Sequence, residues 1–577
     1  MTLADTTAQD AAPDEAAITR HGIVAGVGAV QDPDDKAELV RLRSFTLWQE
    51  LQSAAAHEPG RHALVAANDA GELQRLTYAD LLSRVRALSA GFASIGVRRG
   101  DRVVLWMTNT LEWVVSAFAA MRIGAAIVPV NTFLKPPEIK YFIQQSGARH
   151  LVMIDGFRKL NMPDLLAEIC PEAVAAKAPG FTFSPELPDL RNIILFGRGG
   201  GELACAHDLA TLAAEAGPEA YALADRMEAE VRSSDLGMVK YTSGSTAFPK
   251  GVMLEQGGIV ANGVLHARRM WARTSDVYFS MMPFFHAGGS IYGLMSMLLN
   301  GGTLVFTEAF DAEVGADLIA SEQATIVVTM LGAEIVQAAL AKGRVLSSVR
   351  VGSVPDEAAR KVMPNVVSCF AAFGLTETYG PAALSSYLPG GMRSAGGRLM
   401  AGNEHRVVDP ETGEDVPPGT PGEAWLRGNV ARGYWNKPEE TARAFDKDGW
   451  FHTEDLVTID AEGYVTWLGR LKLMLKVGGE NVSIEEVERV AVGHDAVMDC
   501  CAVGVPDKRK GEAVRIYVTR NPDQALEEEE LRSWLKPRLA HFKLPREILF
   551  LDRLPRLGNG KVDRVLLARW VREEAAA

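Results

Sequence analysis

The sequence predicts an α/β protein with a large N-terminal domain of layered α/β subdomains, a β-rich subdomain, and a small α+β domain at the C-terminus. Three observations predict it. At 577 residues the chain far exceeds the roughly 100 to 200 of one ordinary domain. Helical and strand patterns alternate from Phe45 to about Asp155 and again from Leu236 to Phe373, the signature of helices layered on a largely parallel sheet. After Val407 the texture changes to closely spaced Pro and Gly, DPETGEDVPPGTPGEAWLRG, which predicts turns between short strands.

Taken in order, Met1 to Ala17 is polar and acidic where a secretory signal is basic and then apolar, so residues 1–40 read as a disordered leader. A helix is expected around Tyr78 to Ile95, then the strand Arg102 to Met107, another helix, and the strand Ala126 to Pro129. Short apolar runs at Thr303 to Phe306, Thr325 to Thr329 and Val349 to Gly352 predict further strands. No fixed-period repeat stands out. Beyond Gly469, Ser483 and Glu486 make a capping box ahead of Val487, Val490 and Ala491, and Gly493 ends that helix. A second helix, Glu527 to Leu535, opens on four glutamates that suit the positive end of a helix dipole, and stops at Pro537. These signals divide the chain into a leader (1–40), a large domain (41–469) and a small domain (470–577).

Hydrophobic residues at 47% and charged residues at 23% are ordinary for globular proteins, which excludes disorder or fibrous structure for the bulk. A net charge of -13 offers no basic footprint for nucleic acid. The longest apolar stretches, near Val114 to Val130 and Ile291 to Phe306, are broken by Arg122 and by Asn300-Gly301-Gly302, so no transmembrane helix is expected. Cys170, Cys205, Cys369, Cys500 and Cys501 have no metal-ligand spacing and are too few for a disulfide framework. A reducing, cytoplasmic setting is the expectation.

The chemistry concentrates in YTSGSTAFPKGV, Tyr241 to Val252. Thr242, Ser243, Ser245 and Thr246 surround Gly244, and Lys250 and Gly251 close the segment. Small residues let backbone amides converge on an anion, hydroxyls add donors, and a lysine brings positive charge to a phosphate. The Walker pattern is absent, because Lys250 is followed by Gly251 and Val252. Taken alone, the segment reads equally well as a surface turn.

Together with four further segments in matching order, the loop resembles the signature of the adenylate-forming superfamily, in its acyl-CoA synthetase branch. The resemblance spans about Phe45 to Arg564. It implies that the loop contacts the leaving pyrophosphate of ATP, with Ala247 where the family usually has glycine. In FGLTET it implies Phe373 against adenine, Gly374 beside it in the cofactor site, Thr376 on the α-phosphate and Glu377 on Mg²⁺. In GWFHTEDLVTIDAEGYV it implies Asp455 on the ribose hydroxyls, with Glu454 replacing a common glycine. In GRLKLMLKVGGENVSIEEVE it implies Arg470 on the ribose, Lys472 as the hinge of a mobile small domain, Lys476 and Asn481 facing the nucleotide, and Gly478 and Gly479 lining a pantetheine channel. In PRLGNGKVDR it implies Lys561 as the catalytic lysine.

His286, in MPFFHAGGS, matches a family position at the mouth of the acyl pocket, and as a residue by itself reads equally as a hydrogen-bonded, partly buried histidine. Gly288, Gly289 and Ser353 are expected to line that pocket and hint at a bulky aromatic, alicyclic or medium-chain acid. The implied reaction joins a small-molecule carboxylic acid to coenzyme A at the expense of ATP. A separate carrier protein as acceptor, a noncatalytic nucleotide binder and a luciferase-like oxidase are the other readings. Retention of Lys250, Glu377, Asp455, Arg470 and Lys561 counts against the binder.

Overall fold

The computed structural model describes residues 36–576 apart from 69–70, 181–183, 198–202, 243–248, 329–331, 353–356, 367, 370–371, 386–395, 401, 478–479, 508–510, 523, 540 and 558–559. The chain forms two compact units, residues 1–404 with 427–451, and residues 405–426 with 452–577.

The first unit is built on two seven-stranded sheets. One runs in the order Lys250–Glu255, Leu236–Thr242, Ala126–Pro129, Arg102–Trp106, His150–Ile154, Asn192–Phe196 and Ala206–Asp208. Every pair in it is parallel except the first, which is antiparallel. Its central strands are apolar almost without interruption because helices cover both faces of a parallel sheet. The expected helix of the first layer is Tyr78–Ser94, started by Thr77, whose side chain accepts from Asp80 N in a capping box. The next is Leu111–Arg122, started by Thr110. Arg122, which broke the apolar run in the sequence, ends that helix buried and paired with Asp225 and Glu228. No helix among the described residues is long and apolar enough to cross a membrane.

The other large sheet joins distant parts of the chain. Its order is Ser368–Cys369, Val351–Gly352, Ile326–Val327, Val277–Ser280, Thr303–Thr307, His62–Ala67 and Leu73–Thr77. The three short apolar runs read from the sequence are strands here, the first as Thr303–Thr307 and the other two shortened to Ile326–Val327 and Val351–Gly352. A small antiparallel sheet of Ala372–Leu375, Gly380–Leu384 and Arg398–Leu399 completes the unit.

The second unit holds a four-stranded sheet in the order Glu404–Val408, Gly422–Arg427, Phe451–Ile459 and Val465–Arg470. Phe451–Ile459 alternates buried and half-buried residues along its whole length, as a one-sided strand must. A five-stranded sheet follows, in which Gly511–Arg520 pairs with Val497–Asp507, Met474–Val477 and Glu547–Phe550. The helix Ile484–Val492 packs there, capped by Ser483, whose hydroxyl accepts from Glu486 N at 3.3 Å. Glu527 stands just before the helix Glu528–Leu535, at its N-cap position and without a side-chain cap bond.

Candidate active site

The strand Leu236–Thr242 lies parallel to Ala126–Pro129, and the expected phosphate loop leaves its C-terminal end, where ligands bind in open α/β sheets. The chain returns as Lys250–Glu255, with Thr242 paired to Lys250 and Tyr241 to Gly251. A side chain at position 251 would place its Cβ 2.8 Å from Val239 Cγ1, so glycine is needed for the return. Ser243, Gly244, Ser245, Thr246 and Ala247 lie outside the described residues. Lys250 Nζ sits 4.7 Å from the centroid of the Tyr434 ring and 3.4 Å from Glu440 Oε2. The Tyr434 hydroxyl donates to Glu377 Oε1 at 2.9 Å, and Glu377 is 8% exposed. Tyr434 thus brings together the expected phosphate lysine and the expected metal carboxylate.

Glu377 stands in a one-turn 3-10 helix, Thr376–Thr378, between Ala372–Leu375 and Gly380–Leu384. Thr378 Oγ1 accepts from Leu375 N at 2.9 Å and donates to Gly380 O at 2.6 Å, closing the turn on itself. Gly374 falls at a register shift, where a Cβ would come within 2.2 Å of Gly380 O. Phe373 is buried beside it and Thr376 is half-buried.

His286 is exposed, next to Phe285 with ring centroids 4.5 Å apart. Its backbone N donates to Pro283 O, and its carbonyl accepts from Ser290 N and Ser290 Oγ. Gly288 and Gly289 open a π-helix, Gly288–Met295, a wide helical form found most often at functional sites. A Cβ at Gly289 would meet Pro283 O at 2.2 Å. Ser353 lies outside the described residues, just after the strand Val351–Gly352.

In the second unit Asp455 and Arg470 face each other across the hairpin, with Arg470 Nε 3.0 Å from Asp455 Oδ1. Trp467 Nε1 donates to the same oxygen at 3.1 Å. Burial pushes the Asp455 carboxyl above its ordinary range, while Arg470 and Trp467 pull it back. Glu454 has φ 57, the left-handed region that glycine occupies without strain, which accounts for the family's preference there. Asp460 and Gly463 make the hairpin's turn, with Asp460 Oδ1 accepting from Glu462 N and Tyr464 N. Lys472 lies in the 3-10 turn Leu471–Leu473. Lys476 and Asn481 are register partners in the pair Met474–Val477 and Glu480–Ser483. Gly478 and Gly479 between them lie outside the described residues. Lys561 is exposed in a tight loop in which Leu557 N donates to Lys561 O at 2.8 Å and Gly560 has φ 83.

A family model described as AMP-binding enzyme matches residues 51–435, and its companion, AMP-binding enzyme C-terminal domain, matches 486–561. The chain belongs to the AMP-binding enzyme family. It falls in the acyl-CoA synthetase branch of the adenylate-forming superfamily. Bacillus subtilis YngI, an acyl-CoA synthetase by name, is 31% identical over 92% of this chain and 97% of its own. A Rhodococcus jostii ligase, named for a methyl-dioxo-octahydroindenyl propanoyl-CoA, is 33% identical over 89% of this chain and 96% of its own. The crystal structure of the anthranilate CoA ligase AuaEII with anthranoyl-AMP superposes with a TM-score of 0.75 at 25% identity, over 92% of this chain and 98% of that one.

Two groups of residues in this AMP-binding enzyme escape the sequence reading. Tyr434 and Glu440 are far from Lys250 in the chain, and the only local signal is a Gly-Tyr-Trp step in a stretch rich in turn residues. Asn109 and Lys240 both reach the Met282–Phe285 backbone. The lysine had a visible signal, a charge inside the apolar run Leu236–Val239 and its continuation.

Proposed function

We propose that this AMP-binding enzyme activates a bulky aromatic, alicyclic or medium-chain carboxylic acid as its acyl adenylate, and passes the acyl group to coenzyme A through the residues named above. The observation that carries the assignment of roles is the link from Lys250 through Tyr434 to Glu377, which ties two groups expected on ATP into one piece of structure.

In the first half-reaction a carboxylate oxygen attacks the α-phosphorus, the bond to the β-phosphate breaks, and pyrophosphate leaves. Two anions meet, so the residues must cancel charge before they do anything else. Lys250, with the hydroxyls of Thr242, Ser243, Ser245 and Thr246 and the amide of Gly244, holds the departing pyrophosphate. Thr376 donates to the α-phosphate, and Phe373 and Gly374 carry the base. Asp455 and Arg470, already paired with each other, hold the ribose. Lys476 and Asn481 face the nucleotide, and Lys561 spreads the negative charge that grows around phosphorus.

Glu377 suits Mg²⁺, which takes one or two carboxylates and leaves the remaining positions to phosphate and water. Its Oε1 is already oriented by the Tyr434 hydroxyl. When bound there, Mg²⁺ supplies charge neutralisation at the phosphates. Tyr434→Phe removes the orienting hydroxyl and is expected to lower acid-dependent pyrophosphate–ATP exchange about five- to tenfold, the worth of one ordinary hydrogen bond. A Mg²⁺ titration of the exchange rate checks this.

In the second half-reaction the sulfur of coenzyme A attacks the acyl carbonyl, the bond to AMP breaks, and the thiol proton leaves to solvent. Lys561 must withdraw for this step. We assign the movement to the 470–577 domain turning about Lys472, which brings Gly478 and Gly479 to the pantetheine arm. The reaction runs in the cytoplasm, where ATP and free coenzyme A meet.

The acid class rests on the small residues Gly288, Gly289 and Ser353 expected to line the acyl pocket, and on relatives named for a bicyclic and an aromatic acid. Pyrophosphate release with coenzyme A across a panel of acids tests it. Aromatic, alicyclic or medium-chain acids are expected to exceed acetate by at least about a hundredfold in kcat/KM, the scale set by several buried methylenes. Acetate as the best acid overturns the acid class.

A further inference from the structure

Lys240 is 2% exposed, in the middle of the strand that leads into the phosphate loop. A lysine this deep normally meets a carboxylate. Here Nζ donates instead to two backbone carbonyls, Phe285 O at 2.9 Å and Phe284 O at 3.3 Å. Asn109, also buried, grips the same segment from the turn before the helix Leu111–Arg122. Its Nδ2 donates to Met282 O at 3.0 Å and its Oδ1 accepts from Phe284 N at 2.8 Å.

The backbone from Met282 to Phe285 is therefore held from two sides by side chains of two different elements. His286 follows directly, and its turn is fixed in its own right to Pro283 O and to Ser290. Gly289 has no room for a side chain against Pro283 O, so a shift of the segment is transmitted into the π-helix.

We propose that Lys240 is a positioning residue for acid binding: with Asn109 it clamps the Met282–Phe285 backbone, sets the place of His286 and the π-helix, and makes the affinity for the carboxylic acid depend on its own protonation. The proposal rests on the reading that His286 and Gly288–Gly289 border the acid.

The sign follows from hydrogen-bond strength. A charged ammonium donates about twice as strongly as a neutral amine and has one more hydrogen to donate. Burial pulls the Lys240 pKa down to about 7, and no charged neighbour contributes to that shift. The titratable groups on the flanking elements are Lys250 and Glu255 on the paired strand, His266, Arg268 and Arg269 on the helix Gln256–Arg269, and His286 on the clamped segment. Lys250 pairs with Glu440, Glu255 with Arg43 and Arg268 with Glu38. His266 is fully buried, its pKa lowered to about 4, so it stays neutral in this range. The clamp is tight below pH 7 and loosens above it.

Steady-state pyrophosphate release at saturating ATP and coenzyme A, from pH 6 to 9, tests this in the full-length enzyme. The wild-type KM for the acid is expected to rise three- to tenfold as pH passes through 7. Lys240→Gln keeps a donor for the carbonyls but cannot titrate, so its acid KM should be flat; because His286 is intact in it, the comparison assigns the transition. Lys240→Met should raise the acid KM about tenfold at pH 6.5, against less than twofold for the ATP KM, the loss expected for charge-assisted hydrogen bonds. A pH transition that persists in Lys240→Gln overturns the proposal, as does a Lys240→Met effect on ATP equal to that on the acid. His286→Ala separates the two layers. A raised acid KM there beside unchanged Lys240 variants overturns the clamp and keeps the reading of the segment; no change in any of them overturns both. Lys240→Gln carries the test alone if Lys240→Met fails to fold.

Discussion

Lys561→Ala is expected to lower acid-dependent exchange of pyrophosphate into ATP by about 10²- to 10³-fold, the range for removing one preorganised electrostatic group from a reacting centre. Thioesterification of a supplied acyl adenylate should fall less than about threefold, because on the proposed mechanism that step proceeds with the lysine withdrawn. The fold is not at stake. Lys561 is exposed, and the loop is held by its backbone, through Leu557 N to Lys561 O, Gly560 N to Leu557 O, and a bridge between Arg556 and Val562. A thermal melt should move by no more than a surface substitution moves it, within about 0.5 kcal/mol. Single-turnover measurements of the two half-reactions decide the matter, and equal losses in both would remove Lys561 from its role.

Glu377→Gln is expected to cost the exchange reaction about a hundredfold, with partial recovery as Mg²⁺ is raised. The substitution is chosen because it isolates charge. Glutamine keeps the size of the side chain and a carbonyl oxygen that can accept from the Tyr434 hydroxyl, so the contact at 2.9 Å can survive. The backbone link from Ala431 N to the carbonyl of residue 377 is likewise indifferent to the change. What is lost is the anion proposed to hold Mg²⁺, at a side chain only 8% exposed. An exchange rate and Mg²⁺ dependence like those of the wild type would show that Glu377 is structural. The Tyr434→Phe variant then serves as the milder companion, since it perturbs orientation and leaves the charge in place.

Local signals in the sequence predicted local structure well. Ser483 caps its helix and Arg102–Trp106 is a buried strand, because each depends on residues a few positions away. The order of strands in the sheets was not legible. Nothing in the period of His62–Ala67 announces that it pairs with Thr303–Thr307, a choice made by tertiary packing. The same holds at the site. Motifs named Lys250, Glu377, Asp455 and Arg470, but the tyrosine joining the first two and the lysine and asparagine clamping Met282–Phe285 meet their partners only in three dimensions. Glu454 is the converse case: its oddity was visible as a missing glycine, and its φ of 57 supplies the reason.

The pairing of Thr242 with Lys250 has one more consequence. The two residues are rungs of the same ladder, so the spacing of their backbones is set by the sheet. Closing a short segment whose ends are already adjacent adds little entropy cost when its length changes, since the cost grows only with the logarithm of length. On the proposed role of the loop, insertions or deletions at its tip should therefore alter how the pyrophosphate is wrapped while Thr242 and Lys250 stay in register. The segment between them can change in length while the strand pair beneath it stays fixed.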